Sequence, residues 1–394
     1  MKVLMVEPTA HGGPIAYTLA LVTALSSKDV DVAIVGTLDA AWDNLPSDVV
    51  VERRLESFLH TPTLPSPLRR SRSFALHVRN SVRLRRSALS SSADVVHLQW
   101  PPRLLARRVL HDISRGLPLV VTVHNVLPHD DDKARNARVQ RWWADVYGLA
   151  DVLICHSEHS ASEVGRVFGR SLLERTAVVP HGVGSPAWGD LGALSQDDAR
   201  NRIGLPQSGK IVLSFGAVFP YKGLSTLLRA LSHNRVAEPP RLLIAGVCPD
   251  WAGYEEIIRE LRLEERVILR LGWVPDEAIP HYVKAADALA LPYSRIDASG
   301  VAAAGAFFGV PLLLSDIPGF RSVWGQHEAV FLPPGDERAW AMAMDSLVTD
   351  PAALRRMGKA AQSKAQLTMS WDVCAEAHLI AYERAIASWR SRVG

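Results

Sequence analysis

Short apolar runs recur along this chain, and nearly every one leads into a stretch whose apolar residues fall at helical spacing. That alternation restricts the fold to parallel sheets with crossover helices: a strand covered on both faces reads as a continuous hydrophobic run, and its crossover helix shows one apolar stripe. In the first half the strand candidates are 2–7, 31–36, 95–98, 119–124, 152–156 and 177–180. In the second half they are 211–216, 241–246, 266–271, 288–291, 311–315 and 329–332. Between the two sets, 181–208 is rich in Gly, Ser and Pro with little periodicity, which marks a linker between two α/β domains. The 394 residues fit two domains of ordinary size, and 48% hydrophobic residues supply two cores.

Two β–α corners in the second half carry the most chemistry. GAVFPYKGLSTLLRAL (216–231) and DASGVAAAGAFFGVPLLLSD (297–316) each place a turn of small residues at the start of an apolar helix. There, backbone N–H groups and the positive end of the helix dipole can meet a phosphate. The run IVLSFG ends at Gly216, and Lys222 sits at the corner, where its ammonium can neutralise a phosphate as a point charge. Ser299, Gly300 and Val301 open the other helix, and Ser299 has two open readings, phosphate ligand or simple N-cap. Ordinary β–α corners also contain glycines, so it is the pair, in this order, that suggests a diphosphate site.

In the first half, HGGPIAYTLALVTAL begins with Gly12 and Gly13, which permit close approach of a ligand, before Pro14 in a first helical turn. A plain tight turn fits the same residues. LVVTVHNVLPHD puts His124 at the carboxyl end of a strand, where open α/β sheets bind ligands; a hydrogen-bonded structural histidine is the alternative. No G-x-G-x-x-G is present, which removes the main support for a nicotinamide dehydrogenase.

With these motifs in this order, the chain resembles the retaining family 4 glycosyltransferases. GAVFPYKGL is similar to their G-x-x-x-x-x-K-G corner, and SGVAAAGAFFGVPLLLSD to their helix followed by A-x-G-x-P-V-V. MKVLMVEPTAHGGPIAYTLALVTAL, LVVTVHNVLPHD and VVPHGV (178–183) fall where that family has similar segments, so the resemblance covers nearly the whole chain. It implies an α/β protein of the GT-B fold, two facing Rossmann-like domains with a cleft between them. Residues 1–183 would form the acceptor-side domain, 184–370 the nucleotide-sugar-binding domain, and 371–394 a helix crossing back to the first. The implied reaction moves a sugar from a nucleoside-diphosphate sugar to a hydroxyl acceptor with retention of configuration. It needs no cofactor beyond that co-substrate and no metal. Gly216, Lys222, Ser299, Gly300 and Val301 would hold the diphosphate, and Val274 would meet the base through its backbone. His124 would contact the donor sugar or position the acceptor, while Gly12 and Gly13 would face the sugar diphosphate or the acceptor. His129 and the run Asp130 to Asp132 would either line the acceptor side or form a solvated loop. His181 in VVPHGV matches a recurrent family position, as a hinge, a packing residue or a ligand contact.

The chain departs from the family pattern in four places. Ala217 and Phe219 stand where many members have Arg, leaving Lys222 as the main cation. Ile296 and Ala304 align with a Glu-x7-Glu pair; neighbouring Asp297 is a replacement for the first carboxylate, and the ribose-binding one has none. A subset of relatives reads I-D-x-S-G here, with Ser and backbone amides on the phosphate. These losses favour one alternative, a catalytically silent GT-B subunit bound to a partner enzyme; a GT-B sugar-nucleotide epimerase is a second, less favoured one.

Charge and cysteine content narrow the setting. Forty-four basic against 41 acidic residues give a net charge of +3, so nucleic acid is not an expected partner. Three cysteines, Cys155, Cys248 and Cys374, lack metal or redox spacing and fit a reducing cytoplasm. The run at 1–6 is too short for a signal peptide, and no stretch reaches the length of a membrane span. His156 and His159 stand three apart without carboxylate or cysteine support, which argues against a metal. From Leu68 to Ser87 the chain has seven arginines and no acidic residue, with Phe74, Leu76, Val78, Val82 and Leu84 interleaved. This stretch is either a solvated helix or a peripheral contact with the inner face of the membrane, or with a phosphate-bearing lipid acceptor. The partners that the resemblance implies are a nucleotide sugar and a glycan, lipid-linked or small-molecule acceptor.

Overall fold

The computed structural model describes the chain apart from residues 41, 43, 57–65, 103–104, 128–135, 189–190 and 192–193, with backbone alone for 66–71. His129 and Asp130 to Asp132 lie outside the described residues, as do the side chains at the start of the arginine-rich stretch.

Every strand candidate folds as a strand, with ends that differ by at most two residues, and one more joins them. The first sheet contains β1 (Lys2–Glu7), β2 (Asp31–Thr37), β3 (Val50–Leu55), β4 (Val95–Leu98), β5 (Leu119–Val123), β6 (Val152–Cys155) and β7 (Thr176–Val178). The second contains β8 (Ile211–Phe215), β9 (Arg241–Gly246), β10 (Val267–Leu271), β11 (Ala288–Leu291), β12 (Leu312–Ser315) and β13 (Ala329–Leu332). The additional strand is β3, VVERRL, an edge strand with exposed Arg53 and Arg54 whose register slips beside Gly36 and Thr37. Charges on an edge strand discourage pairing with other chains, and they also hide the strand from an apolar-run reading.

All pairings are parallel, in the orders β3-β2-β1-β4-β5-β6-β7 and β10-β9-β8-β11-β12-β13. Both are doubly wound Rossmann orders, so each sheet has one point where the chain reverses its direction of travel, between β1 and β4 in the first and between β8 and β11 in the second. Ligands of such sheets bind beyond the carboxyl ends of the strands flanking that point.

The chain forms two compact units, Met1–Gly182 with Trp371–Gly394, and Val183–Ser370. In each, the sheet is buried on both faces by helices, with fully buried Val, Leu and Ile along the central strands. The helix Trp371–Val393 belongs to the first unit. Buried Tyr382 and Ala385 pack with β1 and the helix Gly13–Ser26, Lys28 pairs with Asp372 at 2.6 Å, and Arg392 meets buried Asp151 at 2.9 Å. The expected linker does not extend to 208. Trp188 and Ala199 are buried in the second unit's core, and Arg200, on the helix Gln196–Arg202, pairs with Asp287 at 2.8 Å while donating to the Ala285 carbonyl.

Candidate functional site

In the second unit, β8 runs out into Gly216, and a 3-10 turn, Pro220–Lys222, leads to the helix Leu224–Leu231. Gly223 joins turn and helix at φ +67°, and a Cβ there would overlap the carbonyl oxygen of Pro292 beyond β11. Only glycine fits both constraints. The Ser294 amide donates to the Tyr221 carbonyl at 2.8 Å, which ties the two strand ends together. Between them the Lys222 ammonium lies 5.5 Å from the centre of the Tyr293 ring. A Cβ on Gly216 would come within 3.3 Å of Lys222 Nζ and 3.8 Å of Val301 Cγ2. Gly216, Lys222 and Val301 thus meet at the reversal point of the second sheet. Burial pulls the Lys222 amine down to about 8, still largely protonated at neutral pH.

The helix Gly300–Phe307 begins beside this corner. Ser299 caps it, its Oγ accepting from the Ala302 amide at 3.2 Å, so the capping reading of Ser299 is realised. The amides of Gly300 and Val301, in the first turn, have no acceptor within the helix and can receive an anion. Ala304 is 5% exposed inside the core, so the position aligned with a ribose-binding carboxylate does not face solvent. Asp297 lies half-buried in the loop before the helix. Val274 is half-buried in the loop after β10, beside exposed Trp273 and two strands from β8. Arg295 was not singled out from sequence. It is half-buried in the β11 loop, and its charge is felt at the Tyr221 hydroxyl.

The first unit gathers a different set. Gly12, at φ +89°, precedes the helix Gly13–Ser26, and Tyr17 follows one turn later. The Tyr17 ring meets His124 at 5.4 Å, His156 at 5.1 Å, His181 at 5.2 Å and Trp371 at 5.1 Å. Its hydroxyl reaches His378 Nε2 at 3.4 Å, and His378 Nδ1 donates to the Cys374 carbonyl. His124 stands just past β5, stacked on Trp100 at 4.9 Å, with Nε2 on Gln99 Oε1 at 3.0 Å. His97 bridges the Tyr382 hydroxyl at 2.8 Å and the Thr122 hydroxyl at 2.7 Å. His124 and the Gly12–Gly13 turn are therefore linked through Tyr17, and His181 belongs to the same cluster.

These imidazoles are neutral. Burial first, and mutual repulsion second, push His124 down to about 3; burial alone pushes His378 down to about 4, and His97, His156 and His181 are lowered as well. His156 donates from Nδ1 to the Val179 carbonyl, while His159 lies on the following helix, outside the cluster's contacts. Among the described residues no three His, Cys, Asp or Glu side chains come together as a metal site. Tyr17, Gln99 and Trp100 escaped the sequence reading; the signal available for the last two was HLQW, a strand end of the same kind as that at His124.

Residues 11–184 match the model of Glycosyltransferase Family 4, and residues 195–364 match Glycosyl transferases group 1. Each match falls largely within one of the two compact units. It is 28% identical over 253 residues to D-inositol 3-phosphate glycosyltransferase of Xylanimonas cellulosilytica, an alignment covering 61% of this chain and 58% of that protein. To the MMP alpha-(1->4)-mannosyltransferase of Mycolicibacterium hassiacum it is 27% identical over 361 residues, 87% of this chain and 81% of that one. The chain thus spans less than two thirds of the first relative and more of the second. The crystal structure of Anabaena Alr3699/HepE in complex with UDP-glucose superposes over 100% of both chains with a TM-score of 0.72 at 17% identity. The fold is GT-B.

Proposed function

We propose that the chain is a glycosyltransferase that moves a sugar from a nucleoside-diphosphate sugar to a hydroxyl acceptor with retention of configuration. The observation that carries this reading is the convergence of Gly216, Lys222 and Val301 at the reversal point of the second sheet, beside the start of the helix Gly300–Phe307. A leaving diphosphate there would be stabilised by one ammonium and by preorganised amides, which act on charge as it develops. Ser299 contributes through its cap, Asp297 and Arg295 flank the loop, and the Val274 loop takes the base. With Ala217 and Phe219 in place of cations, the chain fits the I-D-x-S-G subset, in which backbone groups do more of the binding. In the first unit, His124 and the Gly12–Gly13 turn serve the sugar or the acceptor. UDP is a reasonable first probe, because the HepE structure holds UDP-glucose.

A melting panel of UDP, GDP and ADP with the intact chain tests this. One diphosphate is expected to raise the midpoint, and Lys222→Ala to erase the rise; an unchanged rise in the variant would remove Lys222 from the site. Retention is read from the anomeric proton coupling of the product. Failure of all three diphosphates would favour the silent-subunit reading.

The helix Ser66–Ser90 supports a peripheral membrane contact. Phe74, Val82 and Leu89 are 61%, 55% and 42% exposed on one side of it, next to exposed Arg72, Arg79, Arg85 and Arg86. An apolar stripe bordered by arginines suits an anionic lipid surface. Pelleting with vesicles that contain anionic lipid, but not with neutral ones, is the expected result; equal non-binding would dismiss the contact. Among the described residues no helix is long and apolar enough to cross a membrane.

A further inference from the structure

Gln99 lies at the carboxyl end of β4 and is fully buried. Its amide spans two partners of unequal character. Nε2 donates to the Met5 thioether at 3.2 Å, and Oε1 faces His124 Nε2 at 3.0 Å. Met5 sulfur can only accept, so it decides which way the amide points. Turning the amide over would set its oxygen against sulfur and lose one hydrogen bond. With the oxygen held toward the ring, His124 Nε2 must carry the proton, because a carbonyl oxygen only accepts.

We infer that Gln99 is a positioning residue that fixes His124 in the Nε2–H tautomer, leaving the Nδ1 lone pair to accept a hydrogen bond from a substrate hydroxyl. The inference deepens the proposed function and rests on His124 being a substrate contact. The neighbours favour a neutral ring. Trp100 stacks on it from the bend after β4, Tyr17 meets it edge-on from the helix Gly13–Ser26, and His156 faces it from the end of β6, with His181 and His378 contributing like-charge repulsion from further off. No carboxylate acts on His124 among these groups, and a second charge on any of the rings would raise the cost of the first. A neutral Nε2–H imidazole cannot donate from Nδ1, so it selects a hydroxyl that points its proton inward. It holds the orientation of a sugar or acceptor alcohol rather than taking its proton.

Long-range 1H–15N correlation on the intact, histidine-labelled chain reads the tautomer directly, with His124 assigned by its loss in His124→Gln. The expected spectrum shows Nε2–H at pH 7, unchanged at pH 5. Gln99→Met removes the acceptor and should release protons to Nδ1, while lowering kcat/KM for a sugar donor built on the nucleotide that the melting panel selects by roughly tenfold. Gln99→Glu can only accept, so it should keep the tautomer and restore the orientation. Its carboxylate should move the acid limb of the pH profile upward by about 1 to 3 units. A wild-type ring protonated on Nδ1, or a tautomer unmoved by Gln99→Met, overturns the assignment. Full turnover in His124→Ala, beside an Nε2–H signal for His124 in the unmutated chain, would instead strike the reading of His124 as a substrate contact and leave the Gln99 tautomer lock standing.

Discussion

At the scale of single residues, the phosphate contact proposed for Lys222 would carry a pH limit. Its amine is lowered to about 8 by burial, so the cation is present below that value and lost above it. UDP affinity by calorimetry is therefore expected to hold between pH 6 and 7.5 and to fall toward tenfold per unit above about 8. Lys222→Arg, which stays charged, should flatten that limb; a wild-type profile flat to pH 9.5 would show that the cation is elsewhere. Gly223 limits the same corner sterically. Gly223→Ala has to accept a left-handed backbone and an overlap with the Pro292 carbonyl, and should cost more than about 2 kcal/mol in urea unfolding. Lys222 and Gly216 could be named together from sequence because a strand, a turn and a helix of fixed length put them at one corner. Tyr17 and Gln99 could not. Their partners are far away along the chain, His378 for Tyr17 and Met5 for Gln99, and no local pattern encodes such contacts.

At the scale of elements, the helix Gly300–Phe307 is the decisive one. Ser299→Asp keeps a good N-cap but places a carboxylate beside any bound diphosphate. The expected outcome is an unchanged melting temperature with UDP binding reduced at least tenfold; binding at the wild-type level would place the phosphates away from this helix. The strands were legible because buried parallel strands are written as uninterrupted apolar runs, whereas β3 was not, because its mostly exposed residues, Glu and Arg among them, belong to an edge. The segment 181–208 misled for the opposite reason. Its small residues look like a flexible connection, yet Arg200 makes a buried ion pair and Trp188 a core contact that composition does not reveal.

At the scale of the whole molecule, buried neutral histidines make stability depend on acid. The folded values of His97, His156 and His378 lie below the unfolded value of about 6.5. As pH falls below that value the unfolded chain takes up protons that the folded chain refuses, so stability is full above it and is lost on acidification. Each of these three buried rings removes up to about 1.4 kcal/mol per pH unit in that window. The urea midpoint of the first unit is expected to drop steeply from pH 7 to pH 5, and a flat midpoint would mean that the rings charge without unfolding.

The first unit is closed by the helix Trp371–Val393, whose Tyr382 and Cys374 are buried against residues made hundreds of positions earlier. A ribosome delivers that helix only after the whole of Val183–Ser370 has emerged. The contiguous second unit can therefore reach its native state on the nascent chain while the first, although synthesised earlier, still waits for its last piece. During translation the half that starts first finishes last, and its exposed apolar surface over that interval is where chaperones would be expected to bind.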